Sequence, residues 1–372
     1  MSRPGLRWGI AGYGDIVRRK ALPALLSLGE TVTCVWGRDA TRAQAICEEF
    51  GTSPGGSGAF GTSDYTELLD VAEVVYVATP VAAHLPLAIA AARAGLPVLV
   101  EKPLGGAAPE PAAAHVGIDR RHGAASEPAP ARARDTRRRG SPYVPAWTHP
   151  GIAHHREMVS ELAGAHAGVA YYRRLAPALG WVREILRGRA VHRAIVEFSS
   201  PFDPGPDDPR LWRTDPALSG GGVLADVGSH RLDLLCWLLG EPVVTAAWTG
   251  RPFDLGAERL ARMELAWPSG TTAGLEAAWR PGARHDRLRL FFDGGHLELD
   301  PLDSGTVRGI VDGVAVDEFL PPPQNPHLPL MADFARSVRN GTDPVCTVRD
   351  ADTVDRLIAT VYAIATPLEE HP

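Results

Sequence analysis

Apolar runs, glycine turns and helical spacings alternate with one rhythm over the first hundred residues. Leu6 to Ala11 is an apolar run that ends in Gly12-Tyr13-Gly14-Asp15-Ile16-Val17, and Leu22, Leu25 and Leu26 follow at helical spacing. Thr31 to Trp36 reads as a second strand, ending at Gly37-Arg38-Asp39, before a helix over 41–50 that Gly51 closes. A Gly/Ser/Pro loop spans 52–61 and a short helix 65–69. Val74 to Ala78 is a buried strand that ends in Thr79-Pro80. His84 then opens an alanine-rich helix to Ala94, stopped by Gly95. Leu96 to Val100 is the next strand, delivering Glu101-Lys102-Pro103. This βαβαβ alternation with short connections predicts a doubly wound parallel sheet. Ligands of such sheets bind at the carboxyl ends of the strands, which puts Lys102 at the mouth of a site.

The rhythm breaks at Gly105. From there to about residue 155 the text is Ala, Pro, Arg and Gly, with few branched aliphatics and the run Arg137-Arg138-Arg139. Such a segment buries too little surface to offset its ordering entropy, so irregular coil or disorder is expected. A shifted frame in GC-rich coding DNA yields the same kind of text. Pattern resumes with a helix over 156–163, a strand over 168–172 and a helix over 177–186. Strands are then expected at 194–199, 243–248, 261–267, 271–279, 287–292 and 295–299, joined by turns such as Asp293-Gly294-Gly295. A helix over 223–239 interrupts them, and helices over 328–338 and 351–364 end the chain. The expected architecture is α/β: an N-terminal dinucleotide-binding domain over 1–175, carrying the irregular insert, and an α+β domain over 176–372 with a largely antiparallel open sheet. The terminal helices pack back.

Strand, glycine turn and helix around Gly12 and Gly14 are the context of a dinucleotide fingerprint. The first glycine makes the turn, the second admits a pyrophosphate, and the helix start offers free N–H groups. The third fingerprint position is Val17 in place of a small residue, so helix and strand are expected to sit further apart there. At the tip of the second strand, Arg38 suits a 2′-phosphate and favours NADP; otherwise it is a solvated arginine. Asp39 reads as a helix N-cap before a ribose ligand, which leaves NAD open. His84 is either a hydrogen-bonding histidine at a helix start or a group on the nicotinamide side.

A second constellation opens the helix at 223–239. Gly220-Gly221-Gly222 permits close approach of a ligand or of the other domain's backbone. Asp226 and His230, four apart, share one helix face. A histidine suits removal of a hydroxyl proton near neutral pH, and a nearby ammonium would stabilise the developing oxyanion. The same pair also fits a satisfied polar contact or two metal ligands, but no further Cys/His/Glu cluster supports a metal.

Composition narrows the classes. The chain has 372 residues, 45% hydrophobic and 22% charged, with a formal net charge of −6. That balance offers no general nucleic-acid or membrane partner, although the arginine run is a basic patch. Four scattered cysteines read as cytosolic thiols. No stretch reaches about 18 uninterrupted apolar residues.

Taken together, Gly12-Tyr13-Gly14, Thr79-Pro80 with His84, Glu101-Lys102-Pro103, Tyr171-Tyr172-Arg173-Arg174, Gly220 through Asp226 to His230, and Asn325-Pro326-His327 resemble the Gfo/Idh/MocA family of NAD(P)-dependent oxidoreductases. The resemblance implies an enzyme that interconverts a secondary alcohol and a carbonyl on a sugar, polyol or related small molecule, using NADP by preference or NAD. It implies Lys102 and His230 as the catalytic pair, with Asp226 holding substrate and histidine. Gly12, Tyr13, Gly14, Asp15, Ile16, Arg38, Thr79, Pro80, His84, Glu101 and Lys102 would line the cofactor. Tyr171, Arg174, Trp212 and Arg213 would line the substrate pocket. It further implies a cytoplasmic homodimer or homotetramer formed through the second sheet. A catalytically silent NAD(P)-binding sensor is the alternative, which an intact Lys102/Asp226/His230 set disfavours.

Overall fold

The computed structural model describes residues 4–50, 58–105, 152–282 and 284–368. The irregular stretch expected at 105–155 therefore lies largely outside the described residues. Order has already returned at Ile152, earlier than the sequence indicated.

In the first half, β1 (Arg7–Ala11) leads through a widened π turn (Val17–Ala21) into α1 (Leu22–Ser27). β2 (Thr31–Trp36), α2 (Ala40–Glu49), β3 (Phe60–Thr62), α3 (Tyr65–Val71) and β4 (Val74–Val77) follow. Then come α4 (His84–Arg93), β5 (Val98–Val100), α5 (Ile152–Ala163) and β6 (Ala167–Val169). The six strands form one parallel sheet in the order β3-β2-β1-β4-β5-β6. All four residues of β4 are buried, as a strand covered on both faces requires. The strand order reverses between β1 and β4, so the loops after β1, β4 and β5 share one crevice.

In the second half, a 3₁₀ turn (Tyr172–Leu175) leads to α6 (Pro177–Leu186) and β7 (Val191–Ser200). A 3₁₀ turn (Leu211–Thr214), α7 (Pro216–Ser219), a π turn (Leu224–Gly228) and α8 (Ser229–Leu239) follow. β8 (Val243–Thr249), β9 (Leu260–Ala266), β10 (Thr272–Trp279), β11 (His285–Phe292), β12 (Gly295–Leu299), β13 (Thr306–Val311) and β14 (Val314–Phe319) build the sheet. α9 (His327–Asn340), α10 (Val348–Ile364) and the short edge strand β15 (Thr366–Pro367) end the described chain. The second sheet has nine strands in the order β14-β13-β12-β11-β7-β10-β9-β8-β15. It is mostly antiparallel, as expected. The exceptions are β7 beside β10 and β8 beside β15. The chain leaves β7 through α8 to the far edge and returns by hairpins, which brings β10 alongside β7 in the same direction.

The two terminal helices divide between the sheets. α9 lies on the first: Phe334 and Met331 are fully buried, and the Phe334 ring meets Trp8 of β1 at 6.1 Å. α10 packs on α5, α8, β6 and β8.

Candidate active site

The cofactor side is built from the first loop. Gly12 has φ +120°, and a Cβ there would overlap the Ala78 carbonyl, so only glycine lets the loops after β1 and β4 close together. Gly14 faces open space and is exposed, with Asp15 exposed beside it and Ile16 half-buried. Val17 is fully buried inside the π turn. The helix is widened there, in keeping with the larger residue at the third fingerprint position. Tyr13 lies flat on Gly37, where any side chain would collide with its ring, and the Arg42 guanidinium sits 5.0 Å from the ring centroid. Asp39 caps α2, accepting from the amides of Thr41 (3.0 Å) and Arg42 (3.1 Å). Arg38 stands exposed at the end of β2. An open glycine, the free amides of a first helical turn, Arg38 at the tip of β2 and Arg42 in the first turn of α2 fit a dinucleotide with a 2′-phosphate.

Behind the lysine lies a buried polar seam. Glu101 Oε1 accepts from the Tyr76 hydroxyl (2.6 Å) and lies 3.2 Å from His327 Nε2. Burial alone would raise its carboxyl, but His327, Tyr76 and the Lys102 charge outweigh that and hold it below the usual range. His84 is buried with Nδ1 2.8 Å from the Pro103 carbonyl and Nε2 2.9 Å from the Thr79 carbonyl. Both ring nitrogens face backbone carbonyls at the ends of β4 and β5, and the neutral ring, with one N–H, donates to one of the two. Of the two roles open to it from the sequence, the hydrogen-bonding one matches its contacts. Burial lowers its pKa, against the two carbonyls that face it.

Lys102 reaches across to the second half of the chain. Its Nζ donates to the backbone carbonyl of Asp226 (2.6 Å) and to Asp226 Oδ1 (3.2 Å). Arg213 Nη1 donates to Asp226 Oδ2 (3.1 Å) and lies over the Trp212 ring. One carboxylate thus bridges two cations. Burial opposes its ionisation, yet Lys102 and Arg213 keep its pKa below the ordinary value. His230 is buried between ring edges, 4.9 Å from Tyr172 and 5.6 Å from Tyr171 between centroids, and its Nδ1 has no partner among the described residues. Burial, then the charges of Lys102 and Arg173, push its pKa well below the ordinary value, so the imidazole is neutral and able to accept a proton.

Three expectations change. Asp226 does not hold His230: its carboxylate contacts are with Lys102 and Arg213, because residues 224–228 form a π turn and regular α-helix begins only at Ser229. Arg174 does not line a pocket. It is bound by Asp233 of α8 (2.7 Å) and the Val345 carbonyl (3.2 Å), and its side chain is 3% exposed. Tyr171 is a buried wall behind His230, not an open contact. The glycine run also has a different neighbour from the one expected. A Cβ at Gly221 would overlap the Tyr362 hydroxyl, and one at Gly222 would overlap the backbone and carboxylate of Glu258. Sequence reasoning assigned no role to His327, Tyr172, Arg42, Glu258 or Tyr362. Of these, Tyr172 and His327 carried a signal, in Tyr171-Tyr172-Arg173-Arg174 and Asn325-Pro326-His327.

Comparisons with known proteins bear on the fold and the family. The family model for the oxidoreductase family with an NAD-binding Rossmann fold matches residues 6–125, and that for the GFO/IDH/MocA C-terminal domain matches residues 188–298. A D-xylose 1-dehydrogenase (NADP(+)) of Haloferax volcanii is 26% identical over 97% of both chains. A dTDP-3,4-didehydro-2,6-dideoxy-alpha-D-glucose 3-reductase of Streptomyces antibioticus is 38% identical, over 28% of this chain and 30% of its own. Among solved structures, a 3-ketoreductase from Actinomadura kijaniata in complex with NADP superposes with a TM-score of 0.73 at 21% identity, covering 98% of this chain and 99% of that one. With models of one family matching both halves of the chain, this chain belongs to the Gfo/Idh/MocA family of NAD(P)-dependent oxidoreductases.

Proposed function

We propose that this chain is an NADP-preferring oxidoreductase that interconverts a secondary alcohol and a carbonyl on a sugar, polyol or related small molecule. One observation carries the reading: the Lys102 ammonium, delivered by β5, is seated on Asp226 and lies within electrostatic reach of a buried neutral imidazole. A bound nicotinamide supplies the hydride acceptor or donor. Lys102 supplies a fixed positive charge for the oxygen that becomes alkoxide-like as the carbon changes oxidation state. His230 takes the hydroxyl proton in oxidation and returns it in reduction, its low proton affinity keeping it free as a base. Asp226 keeps Lys102 aimed, and Arg213, sharing its carboxylate, presents a second cation to substrate oxygens. The relatives named as acting on xylose and on a dTDP-sugar support a sugar substrate.

The same reading makes the enzyme a cytoplasmic homodimer or homotetramer. No helix among the described residues is long and apolar enough to cross a membrane. The 66% exposure of both Val314 and Phe319 on β14 supports contact through the second sheet.

The test is NADPH and NADH fluorescence titration, followed by an oxidation screen over sugars and polyols. Lys102→Ala is expected to abolish turnover while NADPH affinity stays within a few-fold. Loss of cofactor binding together with activity would instead make Lys102 structural.

A further inference from the structure

Lys102 is held by backbone as well as by side chain. Its shorter contact, 2.6 Å, is to the carbonyl of Asp226, and the carboxylate contact is 3.2 Å. The position of the ammonium therefore depends on where the π turn at 224–228 sits. Two residues remote in sequence govern that turn. Glu258, between β8 and β9, accepts from the Val223 amide with its carbonyl (3.1 Å) and from the Leu224 amide with Oε1 (2.9 Å). Tyr362 of α10 donates to the same Oε1 (3.0 Å), and its hydroxyl accepts from the Gly222 amide (3.3 Å). Three successive amides at the start of the turn are thus satisfied from behind by one carboxylate residue and one phenol. The other side of Gly222 leads to the site: its carbonyl accepts from the Asp226 amide (3.0 Å). Gly221 and Gly222 leave the room that the phenol and carboxylate occupy.

From this geometry we infer that Glu258 and Tyr362 form a positioning pair, which fixes the turn bearing Asp226 and thereby the placement of the Lys102 ammonium. The inference rests on the proposed role of Lys102 and Asp226 and deepens it. Neither residue of the pair touches the reacting atoms. Asp226→Ala removes one acceptor of Lys102, whereas displacement of the turn removes both together.

The chain contains only two lysines, Lys20 and Lys102. Full-length protein grown with lysine carrying ¹³C at Cε therefore gives two side-chain signals, and Lys102→Arg assigns them. In Tyr362→Phe and in Glu258→Ala the Lys102 signal is expected to leave its wild-type position toward or beyond its position in Asp226→Ala, with the Lys20 signal unmoved. A merely structural pair would lower the melting temperature and leave the Lys102 signal in place. That result in either folded variant overturns the inference. Tyr362→Phe removes a single hydroxyl and decides the matter where Glu258→Ala does not fold. The measurement needs neither cofactor nor substrate. Retained turnover in Lys102→Ala would sink the proposed function and leave this readout standing, and an unmoved signal would sink the pair alone.

Discussion

Arg174 and Asp233 are 3% and 0% exposed, and the guanidinium binds the carboxylate through both Nε and Nη2. Burial raises the Asp233 carboxyl to about 6 against the pull of Arg174, so the aspartate remains ionised at neutral pH only with that partner in place. Arg174→Ala would strip the buried Asp233 of the partner that keeps it ionised, so that it must take up a proton with its former contacts unmade, and a loss of about 3–5 kcal/mol in urea unfolding is expected. Arg213 differs in kind: its side chain is 38% exposed and its partner Asp226 keeps a second cation. Arg213→Ala is expected to leave the melting temperature within a degree or two and to raise KM several-fold. If instead Arg174→Ala were stable with a raised KM, the assignment of the two arginines would be reversed. At the tip of β2, Arg38→Ala is expected to weaken NADPH binding at least tenfold in fluorescence titration and to leave NADH binding unchanged. Equal losses for both cofactors would mean that Arg38 does not meet a 2′-phosphate.

Elements with strong periodicity were legible in the sequence. α6 runs over Pro177–Leu186, the span expected from its spacing, and the strand ends that carry Arg38, Thr79 and Lys102 lie where the apolar runs stop. Lys102 and Asp226 could be picked out because each is a charge set against an apolar run. The β13–β14 hairpin was passed over, since its strands alternate weakly and bury little. Its turn, Asp312-Gly313 with both φ positive, carried the hairpin signal that the strands lacked. The π turns at 17–21 and 224–228 were unreadable because a one-residue change in hydrogen-bond pattern leaves no mark on composition. α9 shows how a motif becomes legible only in three dimensions. Asn325 Oδ1 accepts from the His327 amide (3.0 Å), and Nδ2 donates to the Lys20 carbonyl (2.8 Å), tying the start of α9 to the π turn after the fingerprint. Asn325→Ala removes both contacts. A loss of about 1–2 kcal/mol is expected in urea unfolding, and an unchanged midpoint would mean that α9 docks through Phe334 and Met331 alone.

Across the whole molecule, α10 braces both sides of the site. Asp355 and Tyr362, seven apart, share one face of that helix. Tyr362 stands behind the turn of Asp226, while Asp355 Oδ2 accepts from the Gly105 amide (2.8 Å), three residues after Lys102. The second oxygen of Asp355 is buried with no partner among the described residues. Burial pushes this carboxyl from its ordinary 3.8 up to about 7, despite the Gly105 amide. The folded chain thus keeps a proton that the unfolded chain releases between about pH 4 and pH 7, so the stability it contributes is full below that window and lost as pH rises through it. Glu258, pushed from 4.5 to about 7 by burial, acts with the same sign. The buried neutral imidazoles His84 and His230 act the other way as pH falls below 6.5. Asp355→Asn isolates one contribution, because Glu258 and both histidines are common to the two proteins and cancel in the difference. Asparagine retains an acceptor for Gly105 and does not titrate. The melting temperature of Asp355→Asn minus that of the wild type is therefore expected to rise from about pH 5 to about pH 8. A flat difference would mean that Asp355 is ionised throughout and that α10 holds the Lys102 strand end with a permanent charge.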